Sequence, residues 1–359
     1  MSAPTIIGGG IAGAAAACHL ARAGHAPLVI EREGEAHHKI CGEFLSVETV
    51  AELRGLGIEP LALGAKAIGE VRLIHGRRIA RTRLPFDALS LSRHRLDEAL
   101  LARAVSLGAR VERGRGVARV ADVANKNGVF VATGKHALRG VERARGGELT
   151  GLKMYYRLAP AQAAALGNAV ELILFAGGYA GLQLVEDGIA NLCLLTRNPA
   201  DGLTGAVVRA PHLQARLAGA EPLLARPMAI ANLPYGMVAA PEPEHPGRFR
   251  LGDQFAMIPS FTGDGMGLAL STARWAAEAW LERGSNGADD YARVARHRVR
   301  GQVRLATGLA EVGLLRGIGP IVAAIAGALP CAMRGLALAT RVRDGGLIRG
   351  AASQPECGR

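Results

Sequence analysis

The sequence predicts an α/β fold in three parts: a nucleotide-binding domain on a parallel sheet, an inserted antiparallel β-sheet domain, and a helical C-terminal segment. Three observations predict it. Residues 5–31 read as strand, glycine-rich turn, helix and strand. Residues 152–195 are short apolar runs split by glycines, and residues 291–359 are helical in pattern and basic. At 359 residues, the chain is long enough to bury a large core.

The first stretch carries the strongest signal. An apolar strand, Thr5-Ile6-Ile7, leads into glycines at Gly8, Gly10 and Gly13, spaced G-x-G-x-x-G. An alanine-rich helix follows from Ile11 to about Ala23, and a second strand, Pro27 to Ile30, ends on Glu31. Gly8 lets the chain turn tightly, Gly10 lets a pyrophosphate approach the backbone, and Gly13 lets the helix lie close on the sheet. The first helical turn, with Ile11 and Ala12, offers free N–H groups and a positive dipole end to phosphates. Glu31, eighteen residues after Gly13, is placed to accept from ribose hydroxyls, with Arg32 beside it. The unit is Rossmann-like and predicts a bound dinucleotide.

Cys41-Gly42 lies in a loop before a helix that starts after Ser46. Its thiol is either a small residue in a turn or a group set against a cofactor ring. Val71–Ile74 and Arg78–Leu84 pair as strands around His75-Gly76. Ser92 opens a helix to about Ser106, with Leu96, Leu100 and Leu101 on one face. Ala109–Val120 and Val129–Ala132 return as strands, the second ending at Thr133-Gly134. Strands at Leu152–Leu158, Val170–Phe175, Gly181–Val185 and Ile189–Leu195 form the second sheet, one wall of a substrate pocket. Tyr179 either faces that pocket or packs. Phe249–Asp253 returns to the first domain, and Pro259–Gly267 places glycines before a helix running to about Arg283. A second helix N-terminus of this kind suits negative charge forming on a ring.

Lys and Arg outnumber Asp and Glu by 43 to 31, and the pI is about 10.1. The basic residues are not interleaved with aromatics and no zinc-finger spacing occurs, which excludes the usual nucleic-acid binders. Five scattered cysteines without C-x-x-C suit a reducing cytoplasm. The N-terminus has no basic n-region, so no signal peptide is read. No metal-ligand pattern such as H-E-x-x-H and no nucleophile elbow is present. The C-terminal arginines lie among Leu305, Leu309, Leu314 and Ile321. That mixture suits peripheral contact with an anionic membrane, or helices that cover the first domain or a dimer partner. Pro320 and Pro330 break any long amphipathic stripe and favour the covering role.

With these residues in place, the chain resembles the FAD-dependent oxidoreductases that include the aromatic-ring hydroxylases and geranylgeranyl reductases. The likeness rests on Gly8/Gly10/Gly13/Glu31, on Arg93 in Arg-x-x-Leu-Asp, on Gly252-Asp253, and on Pro259–Gly267. It implies FAD as cofactor: the first motif at its ADP part, Arg93 near it, and Asp253 at the ribitol. Gly263, Asp264, Gly265 and Met266 would lie at the ring. Cys41-Gly42-Glu43 and Gly178-Tyr179-Ala180 resemble the geranylgeranyl reductase branch. The family's Asp-Gly is here Thr133-Gly134, followed by Lys135-His136, and Gln254 stands where hydroxylases often have histidine. No second nucleotide fingerprint occurs, so NAD(P)H would act as a transient reductant.

The resemblance divides the chain into an FAD domain (1–70, 85–150 and 246–285), a substrate domain (71–84 and 151–245), and a helical segment (286–359). It implies hydride transfer to or from a C=C bond of a hydrophobic, prenyl- or polyketide-like substrate, with Cys41 and Tyr179 as candidate catalytic residues. The alternatives are a monooxygenase acting on an apolar or aromatic substrate, and a non-catalytic flavin-binding protein.

Overall fold

The computed structural model describes residues 3–314, apart from 124–125, 137, 142–146 and 148, together with Gly335. The chain opens on β1 (Thr5–Ile7), turns into α1 (Ile11–Arg22) and continues as β2 (Leu28–Ile30). Two glycines make this turn possible. Gly8 has φ +102°, and a Cβ there would lie 2.5 Å from the Ala132 carbonyl oxygen. At Gly13 a Cβ would lie 1.9 Å from the Gly8 carbonyl oxygen, so the helix packs on its own turn only because position 13 is bare. Ala14 to Ala17 are fully buried, and their small side chains let neighbouring helices approach closely.

After β3 (Phe44–Leu45) and α2 (Val47–Gly55), the hairpin β4 (Lys66–His75) and β5 (Arg78–Ser90) leaves the first domain. It is longer than the expected 71–84. A bulge between Ile68 and Glu70 breaks the in–out alternation, and that hides the extension from a periodicity argument. Helix α3 (Arg93–Ser106) is capped by Ser92, whose Oγ accepts from the Arg95 N–H at 3.2 Å. The chain returns through β6 (Arg110–Glu112) and β7 (Val129–Val131). The strand expected over 109–120 is only three residues long, because Gly114 adopts φ +72° and turns the chain away.

The second sheet is then completed by β8 (Thr150–Arg157), followed by α4 (Pro160–Leu166) and β9 (Ala169–Phe175). Strands β10 (Gly178–Leu184) and β11 (Ala190–Thr196) come next. Two helices not read from the sequence, α5 (Gly202–Val208) and α6 (Pro211–Arg216), pack on its back. A buried charge fixes α6 there: Glu171 accepts from Arg216 at 2.7 and 3.1 Å and from His212 at 2.9 Å. Burial would raise the Glu171 pKa, but those bonds hold it down at about 2. Short strands β12 (Glu221–Pro222) and β13 (Met228–Ile230) lie on β8. The chain then crosses to β14 (Arg248–Arg250), α7 (Gly265–Arg283) and α8 (Ala288–Leu314).

The first sheet has the order β14-β7-β1-β2-β6 and is parallel throughout. The second runs β12-β8-β11-β10-β9-β4-β5-β3, with β13 also on β8. It is antiparallel except where β4 pairs with β9 in parallel, with Ile74 opposite Ile173. In α8, Ala295, Val299, Val303, Ala306 and Ala310 form one buried stripe. Tyr291 Oη donates to the Arg250 carbonyl at 2.6 Å and ties the start of α8 to β14 of the first domain. The segment 315–359, except Gly335, lies outside the described residues, and with it the expectation about Pro320 and Pro330. No helix among the described residues is long and apolar enough to cross a membrane.

Candidate active site

A cavity of about 1400 Å³ runs from the Gly8–Gly10 turn to the second sheet. That exceeds the roughly 300–1000 Å³ of ordinary small-molecule pockets, so it has room for a dinucleotide and a second molecule.

At one end lies the N-terminus of α1. No side chain caps it, and its first turn holds no acid. Gly8, Gly10, Ile11 and Ala12 line the cavity, whereas Gly13 does not and acts through packing alone. Glu31 is buried at the end of β2; one oxygen accepts the Gly9 N–H at 2.6 Å and the other the Glu33 N–H at 3.0 Å. A carboxylate has roughly four acceptor sites, so two remain for ligand hydroxyls. Arg32 lies on the same wall.

Cations surround this end. A Cβ on Gly10 would lie 3.2 Å from Lys39 Nζ and 3.3 Å from Arg93 Nη2. Arg93 grips both oxygens of Asp97 at 2.7 and 2.9 Å, and Lys39 reaches the same carboxylate at 2.7 Å. Burial works against charge on Arg93, but the Asp97 carboxylate more than restores it, so its pKa lies above the ordinary arginine value. Across the cavity, Lys135 pairs with Asp253 at 3.1 Å. Gln254 Nε2 donates to the Gly134 and His136 carbonyls at 2.7 and 2.8 Å and fixes the turn after β7. Gly134, Gly252 and Asp253 all face the cavity.

The middle of the cavity is bounded by Cys41-Gly42 on one side and the start of α7 on the other. Cys41 is half-buried, and its Sγ accepts the Glu43 N–H at 3.4 Å. Glu43 adopts φ +60°, uncommon for a residue with a side chain, and its carboxylate is fully buried. It accepts from the Arg93 N–H at 2.8 Å, from Tyr155 Oη at 2.6 Å, and pairs with fully buried Lys153 at 2.6 Å. Burial and the Glu43 charge push the Tyr155 hydroxyl well above its ordinary pKa. Opposite, Gly263, Gly265 and Met266 line the cavity, and no side chain caps α7. A Cβ on Gly263 would meet the Phe44 ring at 2.8 Å.

Two expected site residues lie elsewhere. Asp264 is fully buried and turned away from the cavity; it accepts from Gln302 at 2.6 Å and Ser46 at 3.4 Å, tying α7 to α8 and α2. Tyr179 shares a strand face with Gly181 and Gln183, but residues 260–261 lie over it. Its hydroxyl is 2.9 Å from Ser260 Oγ, and its ring meets Phe261 edge-on at 5.3 Å. It packs, and Tyr235 stands on the cavity wall instead.

The far end is apolar: Val71, Leu73, Leu172, Leu195, Met257 and Phe261 line it, with Cys193 among them. Burial pushes the Cys193 thiol up to about 12. Leu309 and Val312 of α8 and Arg226 stand at its edge. Lys39, Asp97, Lys153, Tyr155, Gln183 and Asn191 were not found from the sequence. Most of their partners are distant in the chain, but Asp97 pairs with Arg93 four residues before it, inside the Arg-x-x-Leu-Asp run.

Residues 2–136 match the family of FAD-binding domains. Among solved structures, the chain is similar to a flavin-dependent brominase at 17% identity and TM-score 0.73, covering 96% of this chain and 95% of that one. It is similar to a probable FAD-dependent monooxygenase from Pseudomonas aeruginosa at 17% identity and TM-score 0.68, covering 93% and 99%. A geranylgeranyl bacteriochlorophyll reductase-like protein from Thermoplasma acidophilum aligns at 17% identity and TM-score 0.63, covering 94% and 98%. No curated protein sequence matches the chain. The chain thus carries an FAD-binding domain and has the fold of the FAD-dependent oxidoreductases.

Proposed function

We propose that the protein transfers hydride to or from a C=C bond of a hydrophobic, prenyl- or polyketide-like small molecule, with FAD bound in the cavity. The observation that carries the reading is one continuous cavity, polar and cationic at the α1 end and apolar at the second sheet, with Cys41 on its wall between the two. The residues fit the cofactor. Gly10 is bare backbone beside two cations, two helix N-termini are uncapped, and Glu31 keeps free acceptor sites.

In this reading, Gly8, Gly10, Ile11 and Ala12 hold the pyrophosphate, and Glu31 with Arg32 holds the adenosine ribose. Arg93 and Asp253 would hold the part of the cofactor between ribose and ring, and Gly263, Gly265 and Met266 would offer the uncapped α7 N-terminus to the ring. FAD supplies the hydride chemistry when bound. Cys41 Sγ stands on the cavity wall between the cofactor end and the apolar end. The apolar wall orients the substrate and excludes water. NAD(P)H visits as external reductant.

A second reading, hydroxylation of an apolar or aromatic substrate, uses the same geometry and is favoured by the likeness to a probable monooxygenase. The test is turnover of the reduced holoprotein, and of the oxidised holoprotein for the dehydrogenating direction, with geranylgeranyl and aromatic polyketide substrates, under nitrogen and under labelled oxygen. A change of one hydride and one proton under nitrogen supports the first reading. Label in the product supports the second. A folded protein that takes up no FAD overturns both.

A further inference from the structure

The loop Lys39–Glu43 makes almost no bonds within itself. The Lys39 carbonyl accepts from Lys153 Nζ at 2.9 Å, and the Ile40 carbonyl from Lys135 Nζ at 3.3 Å. Asn191 Nδ2 reaches the Cys41 carbonyl at 3.2 Å and the Gly42 carbonyl at 2.9 Å. Gln183 Nε2 adds a second bond to Gly42 at 3.0 Å, and the Leu91 N–H closes on the Glu43 carbonyl at 3.3 Å. Five successive carbonyls are thus held by donors from other parts of the chain. Among the described residues, the amides of Lys39, Ile40, Cys41 and Gly42 meet no acceptor. All four residues line the cavity.

A trans peptide points its C=O and N–H in opposite directions. The Gly42 amide shares a peptide with the Cys41 carbonyl, so the grip of Asn191 turns that amide away from the second sheet. The Cys41 amide is turned likewise by the bond from Lys135 to the Ile40 carbonyl. Asn191 and Gln183 are themselves 1% and 2% exposed and have no freedom to follow solvent. The opposite orientation of the Asn191 amide would set its oxygen against two carbonyl oxygens. Unpaired backbone amides on a ligand wall take an outside acceptor, and they bind it most strongly where negative charge gathers.

We propose that Asn191, assisted by Gln183 at the next peptide, is a positioning residue that holds the Gly42 amide, beside the Cys41 amide set by Lys135, as a donor to a carbonyl oxygen of the flavin ring. The inference rests on FAD occupying the cavity. Amides fixed in this way favour the electron-rich, reduced flavin over the oxidised form. Asn191 then sets the reduction potential without touching the cofactor.

The test is redox titration of the FAD-loaded protein, without substrate, against a dye of known potential. Asn191→Leu is expected to bind oxidised FAD as the parent does. Its preference for reduced FAD should fall about tenfold, which lowers the two-electron potential by roughly 30 mV. An unchanged potential overturns the proposal, since a side chain that only fills space would not move it. If Asn191→Leu does not fold, Gln183→Met decides. That variant removes one of three bonds, so a smaller fall in potential supports the proposal and no fall overturns it. A parent protein that binds no FAD would instead sink the functional reading, and that outcome is visible before any variant is made.

Discussion

Gly10 and Gly13 belong to one motif but fail differently. A side chain at Gly10 meets the flexible ends of Lys39 and Arg93, which can give way. Gly10→Val is therefore expected to fold, with an unchanged circular dichroism spectrum, and to purify colourless. At Gly13 the added Cβ meets backbone at 1.9 Å, and nothing flexible can move. Gly13→Ala should lose about 1–3 kcal/mol or more in urea unfolding, whether or not FAD is present. Asp253 faces the cavity paired with Lys135. Its removal costs a charge-assisted contact of about 1.5–3 kcal/mol, so Asp253→Ala should weaken FAD binding tenfold or more on titration of the apoprotein. His19 on α1 shows a different residue-scale effect. Burial, then the charges of Arg274 and Arg22, push its pKa down to about 4 from 6.5. The unfolded chain takes a proton there first, so stability is full above the unfolded value and falls as the pH drops below it. The loss is about 1 kcal/mol near pH 5.5, and His19→Gln should flatten the fall in melting temperature between neutral and mildly acid pH. The glycine spacing and Glu31 were legible in the sequence because a bare backbone and an acid at a strand end are local requirements. Tyr179 was not, since the cover over its strand face comes from residues 260–261, some eighty positions on.

At the scale of elements, the left-handed turn at Glu43 is stabilised by β8. Lys153 and Glu43 are a charge pair with no solvent exposure, and Tyr155 two residues along the same strand completes it. Lys153→Met leaves the Glu43 carboxylate buried without its cation, a loss of about 3–5 kcal/mol. The double variant Lys153→Met/Glu43→Gln should recover most of that in chemical denaturation, because no uncompensated charge remains. A double variant as unstable as the single one would show that the charge is not the cause. Such pairs are invisible to sequence reading. Lys153 and Lys39, whose carbonyl it holds, are 114 positions apart, and Asn191 reaches Cys41 over 150. The helices and most strands were legible within a few residues, since each shows its own periodicity. The exceptions were the bulged half of β4, the curtailed β6, the very short β3, β12 and β13, and the short α4, α5 and α6, where no long pattern exists.

For the whole molecule, the two-sheet plan was legible but the join between the sheets was not. The hairpin β4–β5 precedes β7 in the chain, yet its partner β9 comes after it and runs parallel. In the same way β7 takes β14 as its neighbour from more than a hundred residues later. This interleaving governs how the chain folds during synthesis. A nascent protein that has emerged only as far as residue 140 holds every glycine of the nucleotide motif. It also presents two unpaired strand edges whose partners, β9 and β14, have not yet emerged. Contacts this far apart in sequence form slowly, and open edges recruit other chains. The stretch matched by the FAD-binding family, cut out at residue 140 and expressed alone, is therefore expected to pellet on centrifugation whether or not FAD is supplied. A soluble, yellow, monomeric fragment would show that the first sheet closes without the second.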